Sequence, residues 1–147
     1  MQLAKHLLVP TDFSASADYA LDYAIALAQR IGAVVDVLHV HPTPFLPSDI
    51  TVSVSMLDRI VRDGEDALRR TVEPRRDSGV IGETFVKGGD PRDRINETVE
   101  ERNIDLVVMG SHGKRGIRAL FGSVTEGVLR TATAPVLALK PGPAEDV

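Results

Sequence analysis

The 147-residue chain has no cysteine and no tryptophan, and aromatic residues make up only 4% of it. The absence of cysteine rules out disulfide scaffolds, thiol catalysis, iron–sulfur clusters and cysteine zinc sites. No apolar run approaches the ~20 residues needed to span a bilayer. Near the start, Leu7-Leu8-Val9 before Pro10 is too short for the core of a signal peptide. An excess of positive charge is missing as well. Seventeen Lys and Arg face 21 Asp and Glu, for a net charge of −4, so there is no general attraction for nucleic acid or an anionic membrane. Repeats, low-complexity tracts and linkers are also lacking. What remains is an ordinary mixture, 43% hydrophobic and 26% charged, at a length that builds one core without staples. Residues 1–147 are expected to form a single cytoplasmic domain, with 141–147 as a flexible tail.

Strand and helix patterns alternate from end to end. His6-Leu7-Leu8-Val9 is a short apolar run closed by Pro10, the pattern of a strand buried on both faces. Ser14 or Ser16 offers a helix cap. Ala17, Ala20, Leu21, Ala24, Leu27, Ala28 and Ile31 then recur on one helical face that ends at Gly32. Residues 33–40 are β-branched and predict a second strand. Pro42, Pro44 and Pro47 mark a loop. A second helical stripe runs through Met56, Leu57, Ile60, Val61, Leu68 and Val72 to a stop at Pro74. Gly79 and Gly82 are expected to bracket a turn before a third strand at 84–87. Asp90-Pro91 reads as N-cap and first turn of a third helix. Residues 106–109 predict a fourth strand. Ser123 with Glu126 reads as a capping box, and 136–139 as a fifth strand.

Such alternation predicts an α/β fold, a doubly wound five-stranded parallel sheet in order 3-2-1-4-5 with helices on both faces. Ligands bind such sheets beyond the strand carboxyl ends, where the winding reverses between strands 1 and 4. The informative segments are therefore Pro10-Thr11-Asp12-Phe13-Ser14, and Met109 with the run Gly110-Ser111-His112-Gly113-Lys114-Arg115-Gly116. Glycines let the backbone approach a ligand, and Gly122-Ser123 opens a helix whose N–H groups and dipole favour an anion. Turn glycines and a capping serine explain each feature singly, but their joint placement at the switch point favours a phosphate cradle. Neither the Walker A pattern nor the dinucleotide G-x-G-x-x-G is present.

These segments, with Leu38-His39-Val40, Gly88-Gly89-Asp90-Pro91, residues 105–113, Gly122-Ser123-Val124 and Pro135-Val136-Leu137, closely resemble the universal stress protein family, nearly end to end. The resemblance implies the adenine nucleotide alpha hydrolase-like fold and, by the pattern G-x2-G-x9-G-[ST], the ATP-binding branch. It implies Gly110 and Gly113 near ribose and phosphates, and Gly122, Ser123 and Val124 donating to phosphates. It also implies Asp12 beside the adenosine and the Val40 backbone against adenine. Pro10, Thr11, Met109 and His112 flank these positions and complete the expected cofactor-binding set. One departure stands out: eight residues, Lys114 to Phe121, separate Gly113 from Gly122 where the family pattern has nine. In a helix a missing residue rotates every later position by about 100°; in a loop it only shortens a path.

No catalytic residue is assigned. A catalytic role for the His112 imidazole is the lesser reading beside a backbone role, and an alternative for Asp12 is to help hold Mg²⁺. His39 and His41 alone are too few for zinc. Ser111 and Ser123 are phosphorylation candidates. The Arg69-Arg70 and Arg75-Arg76 pairs are expected on solvated helix surface. An ATP pyrophosphatase would need a glycine-rich loop after strand 1, and a receiver domain an Asp after strand 3, where Lys87-Gly88 stands. A flavin carrier would want more aromatics. The leading expectation is a nucleotide-dependent stress-response module with at most slow ATP hydrolysis, homodimeric through Val136 to Leu139. The alternative is a ligand-free dimeric interaction protein of the same fold.

Overall fold

A computed structural model describes residues 1–41, 54–111 and 122–140. Its elements run β1 (His6–Thr11), α1 (Ala15–Ile31), β2 (Val34–His41), α2 (Val54–Val72), a 3-10 helix (Glu73–Ser78), β3 (Ile81–Gly88), α3 (Pro91–Glu101), β4 (Leu106–Gly110), α4 (Ser123–Thr131) and β5 (Val136–Leu139). The strands form one parallel sheet in the order β3-β2-β1-β4-β5, as expected.

Side-chain alternation along buried strands divides the core in two. Leu7, Val9, Val35, Val37 and Val108 face α1 and α2, meeting Ala20, Leu21, Ala24, Ala28, Leu68 and Val72. Leu8, Leu38, Val107 and Met109 face α3 and α4, meeting Ile95, Val99 and Val128. The small alanine stripe of α1 lets that helix lie close to the central strands. Its ends form as the sequence predicts: the Ser14 hydroxyl accepts from Ala17 N–H at 3.1 Å, and Gly32 closes it at φ 72°. Asp90 caps α3 in the same way, accepting from Asp93 N–H at 3.1 Å.

Several expectations are corrected. β1 does not end at Pro10 but continues to Thr11. Its register with β4 covers Leu7 and Leu8, whereas that with β2 runs on to Thr11, so a residue lacking N–H falls where the ladder is one-sided. Gly82 lies inside β3 rather than in a turn, because a Cβ there would stand 2.6 Å from both Asp36 Oδ1 and Val34 Cγ1. The N-cap of α4 is Gly122; Ser123 is already helical, no side-chain cap bond forms, and Glu126 pairs with Arg130 at 2.8 Å. The α2 stripe is buried only toward its end, with Met56 and Leu57 exposed. Arg75 is not solvated surface: it binds Asp22 at 2.7 Å and the Thr71 carbonyl at 2.7 Å. The expected loop at 42–50 and the tail at 141–147 lie outside the described residues.

Asp36 sits in β2 with no exposed surface. One carboxylate oxygen meets His6 Nε2 at 2.5 Å and the Arg102 guanidinium at 3.1 Å, and the other accepts from Glu83 N–H at 2.8 Å. A buried carboxylate needs such a full set of partners. The cluster lies toward the amino ends of the strands, away from the crevice.

Candidate functional site

The carboxyl ends of β1 and β4 stand at the switch point, and each feeds a helix N-terminus. After β1, Thr11 is buried; its hydroxyl accepts from Phe13 N–H at 3.0 Å, and its carbonyl accepts from His39 Nδ1 at 2.9 Å. The Asp12 carboxylate accepts from Ser14 N–H at 3.0 Å, a local turn that leads into the Ser14 cap. Phe13 lies between them with φ 64°, a left-handed conformation unusual for a bulky residue.

After β4, Ser111 N–H donates to Leu139 O at 2.8 Å, and Gly122 N–H donates to Ser111 O at 2.6 Å. The Thr125 hydroxyl donates to Gly110 O at 2.9 Å. The end of β4 is thereby tied directly to the start of α4. Helix α4 begins at Ser123, and its cap Gly122 is held against Ser111 by this bond; the eight residues between Gly113 and Gly122 lie outside the described residues. The Gly122 cap supplies no side-chain acceptor to the first-turn N–H groups of Ser123, Val124 and Thr125.

The two helix starts differ in how they are capped. At α1 the Ser14 hydroxyl and the Asp12 carboxylate already take N–H groups, and Asp18 adds an acid to the first turn. Burial holds the Asp18 carboxyl above its usual range; Arg75 opposes the shift, and Asp22 and Asp12 add to it. At α4 there is a glycine cap with no side-chain acceptor, and Glu126 is engaged by Arg130. Both first turns carry an acid, Asp18 in α1 and Glu126 in α4, but α1 adds the Asp12 carboxylate and the Ser14 cap, so the N–H groups at the start of α4 are the more open to an anion.

Of the expected residues, Pro10, Thr11, Asp12, Met109, Gly110, Gly122, Ser123 and Val124 occupy this crevice region, and Val40 lies at the end of the neighbouring β2. His112 and Gly113 lie outside the described residues. Gly110 has a purpose that its motif does not suggest: a Cβ there would collide with Ser16 Oγ and stand 2.8 Å from the Ser16 carbonyl oxygen. Its bareness admits α1. His39 and His41 do not converge. His39 is bonded to Thr11, and the His41 ring packs on Gly88. Among the described residues no group of three or more His, Asp or Glu side chains is placed to hold a metal ion. Sequence reasoning missed the contacts of Ser16, Phe13 and His39. The Thr-Asp-Phe-Ser turn hinted at a bonded loop, but nothing in it announced a left-handed phenylalanine.

The universal stress protein family model matches residues 4–140. The chain belongs to the universal stress protein family. Universal stress protein MJ0531 of Methanocaldococcus jannaschii is 33% identical over 141 residues, covering 94% of this chain and 83% of its own length. The solved structure of MJ0577, from the same organism, superposes with a TM-score of 0.83 at 28% identity, covering 95% of this chain and 98% of that one. A universal stress protein from Archaeoglobus fulgidus, solved in complex with dAMP, has a TM-score of 0.65 at 25% identity, covering 94% and 98%. Universal stress proteins thus include members that hold a nucleotide on this fold, and no described helix here is long and apolar enough to cross a membrane.

Proposed function

We propose that this universal stress protein binds ATP at the switch point, with Mg²⁺ accompanying the phosphates, and works as a cytoplasmic nucleotide-dependent stress-response module. The observation that carries the reading is the glycine-capped N-terminus of α4, tied to the end of β4 by the Gly122–Ser111 bond. The contrast in capping between the two helix starts gives the ligand a direction. Phosphates lie toward Gly122, Ser123 and Val124, with Gly110 and Gly113 near ribose and phosphates. The nucleoside lies toward β1 and β2, with Asp12 beside the adenosine and the Val40 backbone against adenine. The dAMP complex of the A. fulgidus relative supports the same class of ligand. Turnover needs a positioned base and charge stabilisation at the γ-phosphate. In this reading no residue is assigned either role, and hydrolysis is at most slow. Two chains pair through Val136 to Leu139.

A second reading has its own observation. Gly110 is required by the approach of Ser16 with no ligand at all, which suits a dimeric interaction protein that has given up tight nucleotide binding. Calorimetric titration with ATP and Mg²⁺ separates the two. Heat of binding and a thermal shift support the first; no heat and no shift at millimolar ATP overturn it.

A further inference from the structure

His39 is enclosed on three sides by elements that meet at the crevice. It stands in register with Thr11 across β1 and β2. Its Nδ1 is 2.9 Å from the Thr11 carbonyl oxygen. A carbonyl only accepts, so Nδ1 carries the proton and the ring's orientation is set. The Phe13 ring packs against it, with centroids 4.3 Å apart and planes inclined by 36°. On the α2 side the neighbour is Gly64, buried in the helix interior, where a Cβ would touch the imidazole Cδ2 at 3.4 Å. The Val86 side chain stands at the same 3.4 Å, so the ring lies in ordinary packing distance of the helix backbone at Gly64.

Phe13 is the residue that requires such support. At φ 64° its side chain crowds its own backbone, and a non-glycine residue persists there only where its surroundings over-determine it. Two contacts do so: its N–H is bonded to the Thr11 hydroxyl, and its ring rests on His39. We propose that His39 is a positioning residue of the nucleotide site. It holds the β1–α1 loop, Thr11 to Ser14, in the strained conformation that sets Asp12 and the capped start of α1 at the crevice, and it touches no ligand itself. This rests on the nucleotide reading above for its effect on affinity, while the holding of the loop stands apart from it. Histidine suits the task because it alone combines a flat ring for Phe13 and Gly64 with an N–H at Nδ1 for Thr11.

The test compares the full-length parent with His39→Leu, which keeps bulk and loses the donor, and His39→Asn, which keeps an amide N–H near the Nδ1 position. Amide exchange is followed at Phe13 and Ser14, with Leu21 in the α1 core as the internal reference, and ATP affinity is measured with Mg²⁺. In His39→Leu, exchange at Phe13 and Ser14 rises at least tenfold more than at Leu21 and ATP binding weakens about tenfold; His39→Asn recovers much of both. If His39→Leu fails to fold, Phe13→Gly removes the ring from the other side. Glycine accepts the backbone angle freely, so Ser14 exchange rises while Leu21 stays protected. Exchange that rises equally at all three amides, or rises at the loop with unchanged ATP affinity, overturns the proposal. A parent chain that gives no heat with ATP overturns the nucleotide reading instead, and the exchange comparison then decides the loop-holding role alone.

Discussion

Gly110 shows how packing claims a residue that the proposed nucleotide site would also use. A Cβ there would meet Ser16 backbone atoms at 2.8 Å, and a helix backbone cannot swing aside as a side-chain tip can. Gly110→Ala is expected to cost about 1–3 kcal/mol, the range for overpacking, read as a lower urea midpoint in the absence of any nucleotide. Lost ATP binding in that variant counts as a site effect only after the unfolded fraction has been subtracted. Asp18 makes a second residue-scale prediction. Its carboxyl is raised above the ordinary value of 3.8, chiefly by burial, so the folded chain binds this proton more tightly than the unfolded chain does. The favourable contribution is present at low pH and lost as pH rises through the folded value. Asp18→Asn should therefore be more stable than the parent at pH 7, with the gap closing below about pH 4; urea midpoints across pH 3–7 measure it. The charge of Asp36 was legible in the sequence but its burial was not. An acid within an apolar strand looks like an exposed position until His6, Arg102 and Glu83 N–H are seen to meet it.

At the scale of elements, the beginnings of α1 and α4 are the informative pair. The cap residue of α1 is a serine that bonds its own helix, whereas that of α4 is a glycine that does not. The Gly122 backbone is at φ −64° and ψ 157°, ordinary extended values that any residue adopts. Gly122→Asp should then supply the missing acceptor and stabilise α4 by about a few tenths of a kcal/mol. It should also weaken ATP binding, because the new carboxylate takes the donors that phosphates would use and repels them. Thermal unfolding and calorimetry on the same sample read the two effects, and increased stability with unchanged affinity would place the phosphates elsewhere. Most elements were legible in the sequence because their caps are local: Ser14, Gly32 and Asp90-Pro91 act within a turn of where they stand. The misread ones depended on distant partners. Pro10 is tolerated because of where β4 stops pairing, and Gly82 is needed because Asp36 lies opposite. Ser123 passed for a cap because Ser-x-x-Glu is a short pattern, and only the backbone shows that Gly122 holds that place.

For the whole molecule, the order β3-β2-β1-β4-β5 leaves β3 and β5 as edges. β5 is short and half-buried along its length, and among the described residues no strand pairs with its outer edge, the setting in which a second copy adds strand to strand. Leu137 and Leu139 pack into the α1–α2 core, so charging Leu137 would damage the fold. Ala138→Lys is the cleaner variant. Light scattering is expected to give about twice 15.9 kDa for the parent and 15.9 kDa for Ala138→Lys; a 15.9 kDa parent ends the dimer proposal. The alternation of strands and helices with right-handed crossovers leaves few ways to wind the sheet, and the commonest of these, 3-2-1-4-5, puts the switch point between strands 1 and 4.

The same strand order also fixes how the molecule bears load. His6 begins the central strand and Leu139 ends an edge strand, with only β4 between them, and all three run in the same direction. Tension applied between these residues acts along the strands from opposite ends of the sheet. The β1–β4 and β4–β5 ladders must then slide, and their bonds yield together. Tension between His6 and Leu106, which lie at the same end of neighbouring strands, peels the β1–β4 ladder one bond at a time. Single-molecule pulling should require a markedly higher force along the first pair than along the second, with the rate of unfolding under load governing both. The fold therefore resists extension along the His6–Leu139 direction far better than along the His6–Leu106 one.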